Sequence, residues 1–193
     1  TTLAVTTLAG PAPSRGAVDG AAHTARFNTP VHVARDAAGN LYVADRDNHT
    51  LRKITPSGVV STLAGLAGEA DTVDGTGSAA RFNQPVGVAV RPDGSLIYVA
   101  EESGHVVRRV TAAGVVTTLA GQAYFPGFDN GPGAEARFYS PAGLALDAAG
   151  NVYVADFGNN SIRRVTPAGV VTTFAGSAWG EVGANDGTGT GAR

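Results

Sequence analysis

The feature that most limits what this chain can fold into is its internal period. Leu-Ala-Gly or Phe-Ala-Gly ends at Gly10, Gly65, Gly121 and Gly176, at spacings of 55, 56 and 55 residues. Ala-Arg recurs at Arg26, Arg81, Arg137 and Arg193, and Phe27, Phe82 and Phe138 follow the first three. Tyr-Val-Ala recurs at Tyr42, Tyr98 and Tyr153. A fixed period of this kind belongs to repeat architectures, in which each unit buries its apolar surface against its neighbours. One unit alone would be too small, since a chain near 60 residues hides only about 60% of its surface.

Composition narrows the choice. Gly supplies 27 of 193 residues, about twice the usual share, and charged residues at 16% fall below the usual quarter or so. Hydrophobic residues at 43% suffice for a core and exclude a disordered tail. No apolar run approaches the roughly 20 residues of a membrane span. The absence of Cys excludes a disulfide framework, a thiolate zinc site and a cysteine nucleophile. Lacking Met as well, the chain suits an oxidising exterior, which points to an extracellular, cell-surface or secreted protein. A net charge of −2 argues against nucleic acid as a partner. Only Lys53 among the basic residues is Lys, a bias that fits GC-rich codon usage. The chain opens on Thr1 with no basic stretch and apolar run of the signal-peptide kind, and reads as a mature chain or a piece of something longer.

Each repeat holds four short segments of strand character. In the third they are Ala142–Leu146, Asn151–Ala155, Ser161–Thr166 and Val170–Phe174, separated by Asp, Pro and Gly clusters that suit tight antiparallel turns. Val152, Val154 and the Val170-Val171 pair put apolar groups on both faces of the sheet. Four antiparallel strands covered on both faces make a propeller blade. Between repeats, Asp74-Gly75-Thr76-Gly77-Ser78-Ala79-Ala80-Arg81-Phe82-Asn83-Gln84-Pro85 has close copies at 19–30 and 130–141. The acidic residue there predicts the cap of one short helical turn, with the Phe plugging between blades and the Pro stopping the helix.

These motifs resemble the NHL-repeat β-propeller family, in the bacterial version with an Asp-Gly…Ala-Arg-Phe linker between blades. The family pattern is visible as Pro141-Ala142-Gly143-Leu144-Ala145, then Asp147 to Asp156, then Asn159-Asn160-Ser161-Ile162-Arg163-Arg164. The resemblance implies an all-β fold of three four-stranded antiparallel blades plus one extra outer strand near Val5–Leu8. That is half of an expected six-bladed ring. Residues 1–26 would be the outer strand and linker of a preceding blade, 27–81 the first blade, 82–137 the second, 138–176 the third and 177–193 a further linker. The missing blades would come from the same parent chain or from a second copy, and both sources stay open.

The repeat also sorts candidate residues, because a residue found in every blade answers a packing problem that every blade shares. Arg52, Arg108 and Arg163 recur on the third strand, and Asp45, Glu101 and Asp156 end the second. Together with Phe27, Phe82 and Phe138 they read as structural, the charges forming repeated ion pairs rather than an anion-binding ring. Asp19, Asp74, Asn130 and Asp186 read as caps, since each loop offers too few oxygens for calcium. Asn48 and Asn159 stand in glycosylation sequons that the turn motif itself accounts for.

Pattern breakers are the binding candidates. His32 replaces Gly87 and Gly143, and the pairs Arg46-Asp47, Glu102-Ser103 and Phe157-Gly158 give each blade a different tip. Tyr124, Phe125 and Trp179 lie on variable insertions, where aromatics stack on sugars or anchor a partner protein. No Ser–His–Asp order or metal-ligand spacing gathers around the four histidines. The expectation is a non-catalytic scaffold for protein or glycan partners, with no cofactor and no metal. Two alternatives stay open: part of a six-bladed hydrolase or lyase with a central metal, and a unit that assembles into a larger ring or fibre.

Overall fold

The computed structural model describes residues 4–11, 14–177 and 182–192. Three antiparallel sheets follow one another along the chain. The first contains β1 (Gly20–Ala21), β2 (Pro30–Arg35), β3 (Leu41–Asp45), β4 (Thr50–Ile54) and β5 (Val59–Gly65), in the order β1-β5-β4-β3-β2. The second repeats this with β6 (Gly75–Thr76), β7 (Pro85–Val90), β8 (Leu96–Glu101), β9 (Val106–Thr111) and β10 (Val115–Ala120), in the order β6-β10-β9-β8-β7. The third is β11 (Pro141–Leu146), β12 (Val152–Asp156), β13 (Ser161–Val165) and β14 (Val171–Gly176), in chain order. The sequence expectation of four strands per repeat holds, with bounds in the third repeat within two residues.

The sheets stand side by side, with the first strands β2, β7 and β11 as adjacent inner edges. Their backbones approach so closely that a Cβ on Gly87 would sit 1.9 Å from the carbonyl oxygen of Ala142. Only Gly fits at position 87. Apolar side chains fill the spaces between sheets. Tyr42, Leu51 and Ala64 of the first sheet meet Phe82, Val88, Ile97 and Val99 around the second. Tyr98, Val107 and Leu119 then meet Phe138, Val152 and Val154 around the third. The core is therefore a series of layers between blades.

Two local expectations require correction. The segment Val5–Leu8 is not a strand: residues 4–8 have no ladder partner among the described residues, and Val5 is 97% exposed. A strand exists only where another edge completes its hydrogen bonds. The linker acids, in turn, do not cap helical turns. The turn at Gly77–Ala79 is 3-10, and no side chain caps it. The linkers instead add β1 and β6 as two-residue fifth strands beside β5 and β10, and a single bridge joins Gly131 to Val171.

The linker acids serve a buried arginine. Arg52 is fully buried and divides its donors among four oxygens. One terminal nitrogen donates to the Arg26 carbonyl and to Asp45 Oδ2, each at 2.9 Å. The other donates to the Val18 carbonyl at 3.0 Å and to Asp19 Oδ1 at 2.7 Å. Arg108 repeats this with Arg81, Glu101 and Asp74, and Arg163 with Arg137, Asp156, Asp129 and Asn130. The guanidinium carbons stand 4.9, 5.6 and 5.4 Å from the ring centroids of Phe27, Phe82 and Phe138. The acid on the second strand faces the other way too, accepting the backbone N–H of Asn28, Asn83 or Tyr139. Each arginine thus staples a linker onto the blade that follows it.

The second blade solves the same problem with different atoms. Asn48 and Asn159 donate to Asp45 and Asp156 at 2.7 and 2.8 Å. Both amides are buried in this contact, so the two sequons present no accessible acceptor. Gly104 occupies the corresponding position, and a Cβ there would lie 2.4 Å from Glu101 Oε2. The longer Glu101 fills the space of the missing amide, and the Thr72 hydroxyl donates to it at 2.7 Å. Burial pushes the Glu101 carboxyl up, to about 6, against the pull of Arg108, Thr72 and the Asn83 N–H. Burial likewise raises Asp45 and Asp156.

Replacing Arg108 with Leu would leave Glu101 buried and unpaired, at an expected cost of about 3–5 kcal/mol in urea denaturation; a loss under about 1 kcal/mol would contradict the staple. Glu101→Asp and Gly104→Asn are each expected to cost about 1–3 kcal/mol. The double variant, which rebuilds the arrangement of the other blades, should recover most of that loss, and simple additivity of the two would count against it.

Candidate functional site

One face of the molecule gathers the ends of β3, β8 and β12 with the starts of β2, β7 and β11. Thr29, Gln84 and Ser140 sit just ahead of the prolines that open these inner strands, with φ of 56°, 52° and 50°. A left-handed, non-glycine residue before proline is strained, and strain of this kind collects at functional sites. The surroundings hold it in place. Arg46, Glu102 and Gly158 donate their N–H groups to the carbonyls of Thr29, Gln84 and Tyr139. From the preceding blade, His49 Nδ1 accepts the Gln84 N–H at 3.2 Å and His105 Nδ1 accepts the Ser140 N–H at 3.1 Å. His49, His105 and Asn160 each close their tip turn in the left-handed region, which His and Asn tolerate.

The tips differ on this common frame. Arg46 pairs with Asp47 at 2.8 Å, and Asp47 also accepts the Thr29 hydroxyl at 2.6 Å. Their mutual attraction, with Glu102 adding to it, holds Arg46 protonated, while the Arg46 and Thr29 donors keep the Asp47 carboxyl low. In the second blade Ser103 donates to the Gln84 side chain at 2.6 Å. The third tip is apolar: Phe157 is 73% exposed, and Gly158 leaves room for Tyr139, which a Cβ would strike. Tyr139 is itself exposed and sets its ring edge-on to His105 at 5.8 Å. Cation, anion and aromatic thus succeed one another across the three blades.

Other candidates fall in different places. Tyr124 is tied to the preceding linker, its hydroxyl donating to Asp71 Oδ1 at 2.6 Å, while Phe125 beside it stays exposed. Trp179 lies outside the described residues. His32 is on the inner strand rather than at a tip, and its Nδ1 accepts the Val88 N–H across the inter-blade gap at 2.9 Å. Sequence reasoning missed Tyr139 because it belongs to the linker pattern, and missed Arg91, which replaces Asp36 and Asp147 of the other blades. Arg91 edges an open cleft of about 590 Å³ on the opposite face, between the 91–93 and 147–150 turns. The repeat comparison alone would have found Arg91.

A family model described as the SMP-30/gluconolactonase/LRE-like region matches residues 14–175. The chain belongs to this family. Its blades are NHL repeats: NHL repeat-containing protein 2 of Bos taurus is 34% identical over 95 residues, which cover 48% of this chain and 13% of that protein. The chain therefore spans only a small part of the length of the curated relatives it matches. A structural genomics protein of unknown function from Bacteroides thetaiotaomicron shares 31% identity at a TM-score of 0.56, over 61% of this chain and 30% of that one. An auxiliary nutrient binding protein from Bacteroides ovatus shares the fold at 20% identity and a TM-score of 0.59, over 79% of this chain and 37% of that one. Among the described residues no group of three or more His, Asp or Glu could hold a metal ion. Among them, too, no helix is long and apolar enough to cross a membrane.

The inter-blade histidines are expected to make the face acid-sensitive. Burial depresses both His49 and His105 below the ordinary value, although Asp47 pulls the first up and Asp156 the second. Each must be neutral at Nδ1 to accept its hydrogen bond. The folded pKa lies below the unfolded one near 6.5, so this stability is full above that pH and is lost as pH falls through the folded pKa. Glu101, raised to about 6, acts in the opposite sense over the same range. The melting temperature of the wild type is expected to fall more between pH 7 and 5 than that of a His49→Asn, His105→Asn variant, which copies Asn160. Identical slopes would rule the mechanism out.

Proposed function

We propose that this chain is a non-catalytic binding scaffold whose ligand, a protein or a glycan, docks on the tip face. One observation carries the reading: three blades share one buried skeleton, yet their tips present Arg46, Glu102 and Phe157 from the same position. Packing demands are equal in every blade, so packing gives no reason for the tips to differ. Phe157 with Tyr139 supplies an aromatic platform suited to a sugar ring or an apolar side chain, and the Arg46–Glu102 side supplies polar contacts around it. Rigid left-handed anchors beneath the tips lower the ordering cost of binding. The face is built from side chains of mixed sign, which favours neutral or amphipathic ligands over nucleic acid. His32, Phe125 and Trp179 extend the candidate surface beyond the tips. Residues 27–81, 82–137 and 138–176 form the scaffold's repeating units in this reading, with the linkers as their seams. The absence of Cys and Met fits work at the exterior of a bacterial cell. The similar nutrient-binding propeller from Bacteroides ovatus is a precedent for such a role.

Labelled chain applied to a glycan microarray and to immobilised cell-surface proteins should bind at least one class. A Phe157→Ala, Tyr139→Ala variant should then lose about tenfold or more in affinity with its melting temperature unchanged. Undiminished binding by a variant that also carries Arg46→Ala and Glu102→Ala would place the ligand elsewhere.

A further inference from the structure

The turns that join the first two strands of each blade meet on the face opposite the tips, and the two gaps between them differ. The gap between the first and second blades is closed. The Ala37 N–H donates across it to the Pro92 carbonyl at 2.8 Å. Asp36 is buried beside that bond, and its carboxylate accepts the Asn40 N–H, the Asn40 amide and the Tyr42 hydroxyl. Between the second and third blades the positions of Asp36 and Ala37 carry Arg91 and Pro92. Proline has no N–H, so the closing bond to the third blade cannot form. The longer Arg91 reaches that blade instead, where a Cβ on Gly150 would lie 2.9 Å from its Nη2. This gap stands open as the cleft of about 590 Å³, with both walls supplied by this chain. Its volume is that of a small-molecule site.

Arg91 changes the hydrogen-bond balance there as well as the shape. In the first and third blades the Tyr42 and Tyr153 hydroxyls donate to Asp36 and Asp147 at 3.1 and 3.4 Å. Tyr98 is their copy in the second blade, 1% exposed and packed between the second and third. An arginine stands where its acceptor would be, and a guanidinium only donates. Among the described residues neither the Tyr98 hydroxyl nor the Arg91 side chain has a hydrogen-bond partner, and no acid lies within ion-pair distance of Arg91. A buried phenol normally finds a partner. The acids nearby are engaged elsewhere. Asn151 donates to both oxygens of Asp147, at 2.8 and 2.7 Å, and Ser95 donates twice to Asp93 Oδ1. Val90 and Leu146 give the cleft an apolar wall.

We propose that this cleft binds a small aliphatic carboxylate, with the carboxylate on Arg91 and the hydrocarbon body against Val90 and Leu146. The second blade offers donors without an acceptor. A carboxylate brings acceptors in the planar geometry that a guanidinium serves with two parallel bonds. The ligand thus supplies what Asp36 and Asp147 supply from within the other two blades. A phosphate or another dianion suits the cleft less, because Asp93 and Asp147 flank the single cation and repel a second negative charge. A simple carboxylic acid and an α-amino acid share the chemistry that Arg91 recognises. The amino acid adds an ammonium, for which Asp93 Oδ2 is available, since Ser95 engages only Oδ1. The site lies on the face opposite the tips and does not depend on what the tips bind.

Amide chemical shifts of the isotope-labelled full chain, titrated with isovalerate, valine and isoamyl alcohol, test this. Isovalerate should shift the amides of Gly94 and Gly150 with a Kd of about 1 mM or tighter. Isoamyl alcohol has the same carbon skeleton without the carboxylate and should bind at least about tenfold more weakly. Valine is isovalerate with an α-ammonium. Tighter binding than isovalerate would mark an amino acid as the ligand and weaker binding a simple acid, and either supports the site. Arg91→Asp, which installs the acid of the other blades, should lose about tenfold or more in isovalerate affinity. Its melting temperature should hold or rise, because Tyr98 regains an acceptor. Arg91→Gln should lose binding to the same degree, whereas the Phe157→Ala, Tyr139→Ala variant should bind isovalerate as the wild type does. The proposal fails if neither carboxylate shifts these amides at about 10 mM, if the alcohol binds equally well, or if both Arg91 variants keep wild-type affinity.

Discussion

Everything in this molecule depends on a buried guanidinium. Each blade of about 55 residues is two-sided and thin, and it gains a core only where a neighbour covers it. The linker that sets the next blade at the right distance contains Gly, Ala and short turns, with little apolar surface of its own. Arg52, Arg108 and Arg163 fasten that linker by binding a main-chain carbonyl of Ala-Arg, a linker acid or amide, and the acid that ends the second strand. Arginine suits the task because its planar fork serves several oxygens at once and its face lies over an aromatic ring. A buried pair of this type adds modest net stability, since desolvation offsets attraction, but it makes any other arrangement costly. Specific placement is its contribution.

From that placement the tip face follows. The acid that receives the arginine also receives the N–H of Asn28, Asn83 or Tyr139, one residue before the strained position ahead of proline. Staple, strained turn and tip are therefore mechanically continuous within each blade. The histidines at 49 and 105 carry the continuity into the next blade. A scaffold so constrained can vary Arg46, Glu102 and Phe157 freely, because none of them bears the fold. The same separation of duties shows in the second blade, where Glu101, Gly104 and Thr72 exchange atoms among themselves and leave the surface unchanged.

Much of the fold was legible from the period, and the reasons are physical. Strands, turns and the Phe plug are short-range consequences of residue type, and three copies of the same pattern remove ambiguity. What failed was whatever needed a partner outside the segment. Residues 5–8 have a strand's composition but no edge to join. Asp19 and Asp74 have a cap's composition, yet their carboxylates reach an arginine more than thirty residues away. Of the candidate site, Arg46, Asp47, Glu102 and Phe157 were readable as departures from the repeat and lie on one face. Tyr139 was hidden because it occupies a linker position, and Tyr124 turned out to be tied to Asp71. The bridging role of His49 and His105 was not readable, because it lies in an inter-blade hydrogen bond that no single repeat contains.

The central claim is that each linker and the blade it precedes are one cooperative unit, held by the buried arginine. Native-state hydrogen exchange at the amides of Asn28, Asn83 and Tyr139 tests it most directly. The account predicts that these amides open with the same free energy as the central strands β4, β9 and β13, because the acid that binds them opens only when the staple does. Exchange at loop-like rates, with those strands still protected, would contradict it.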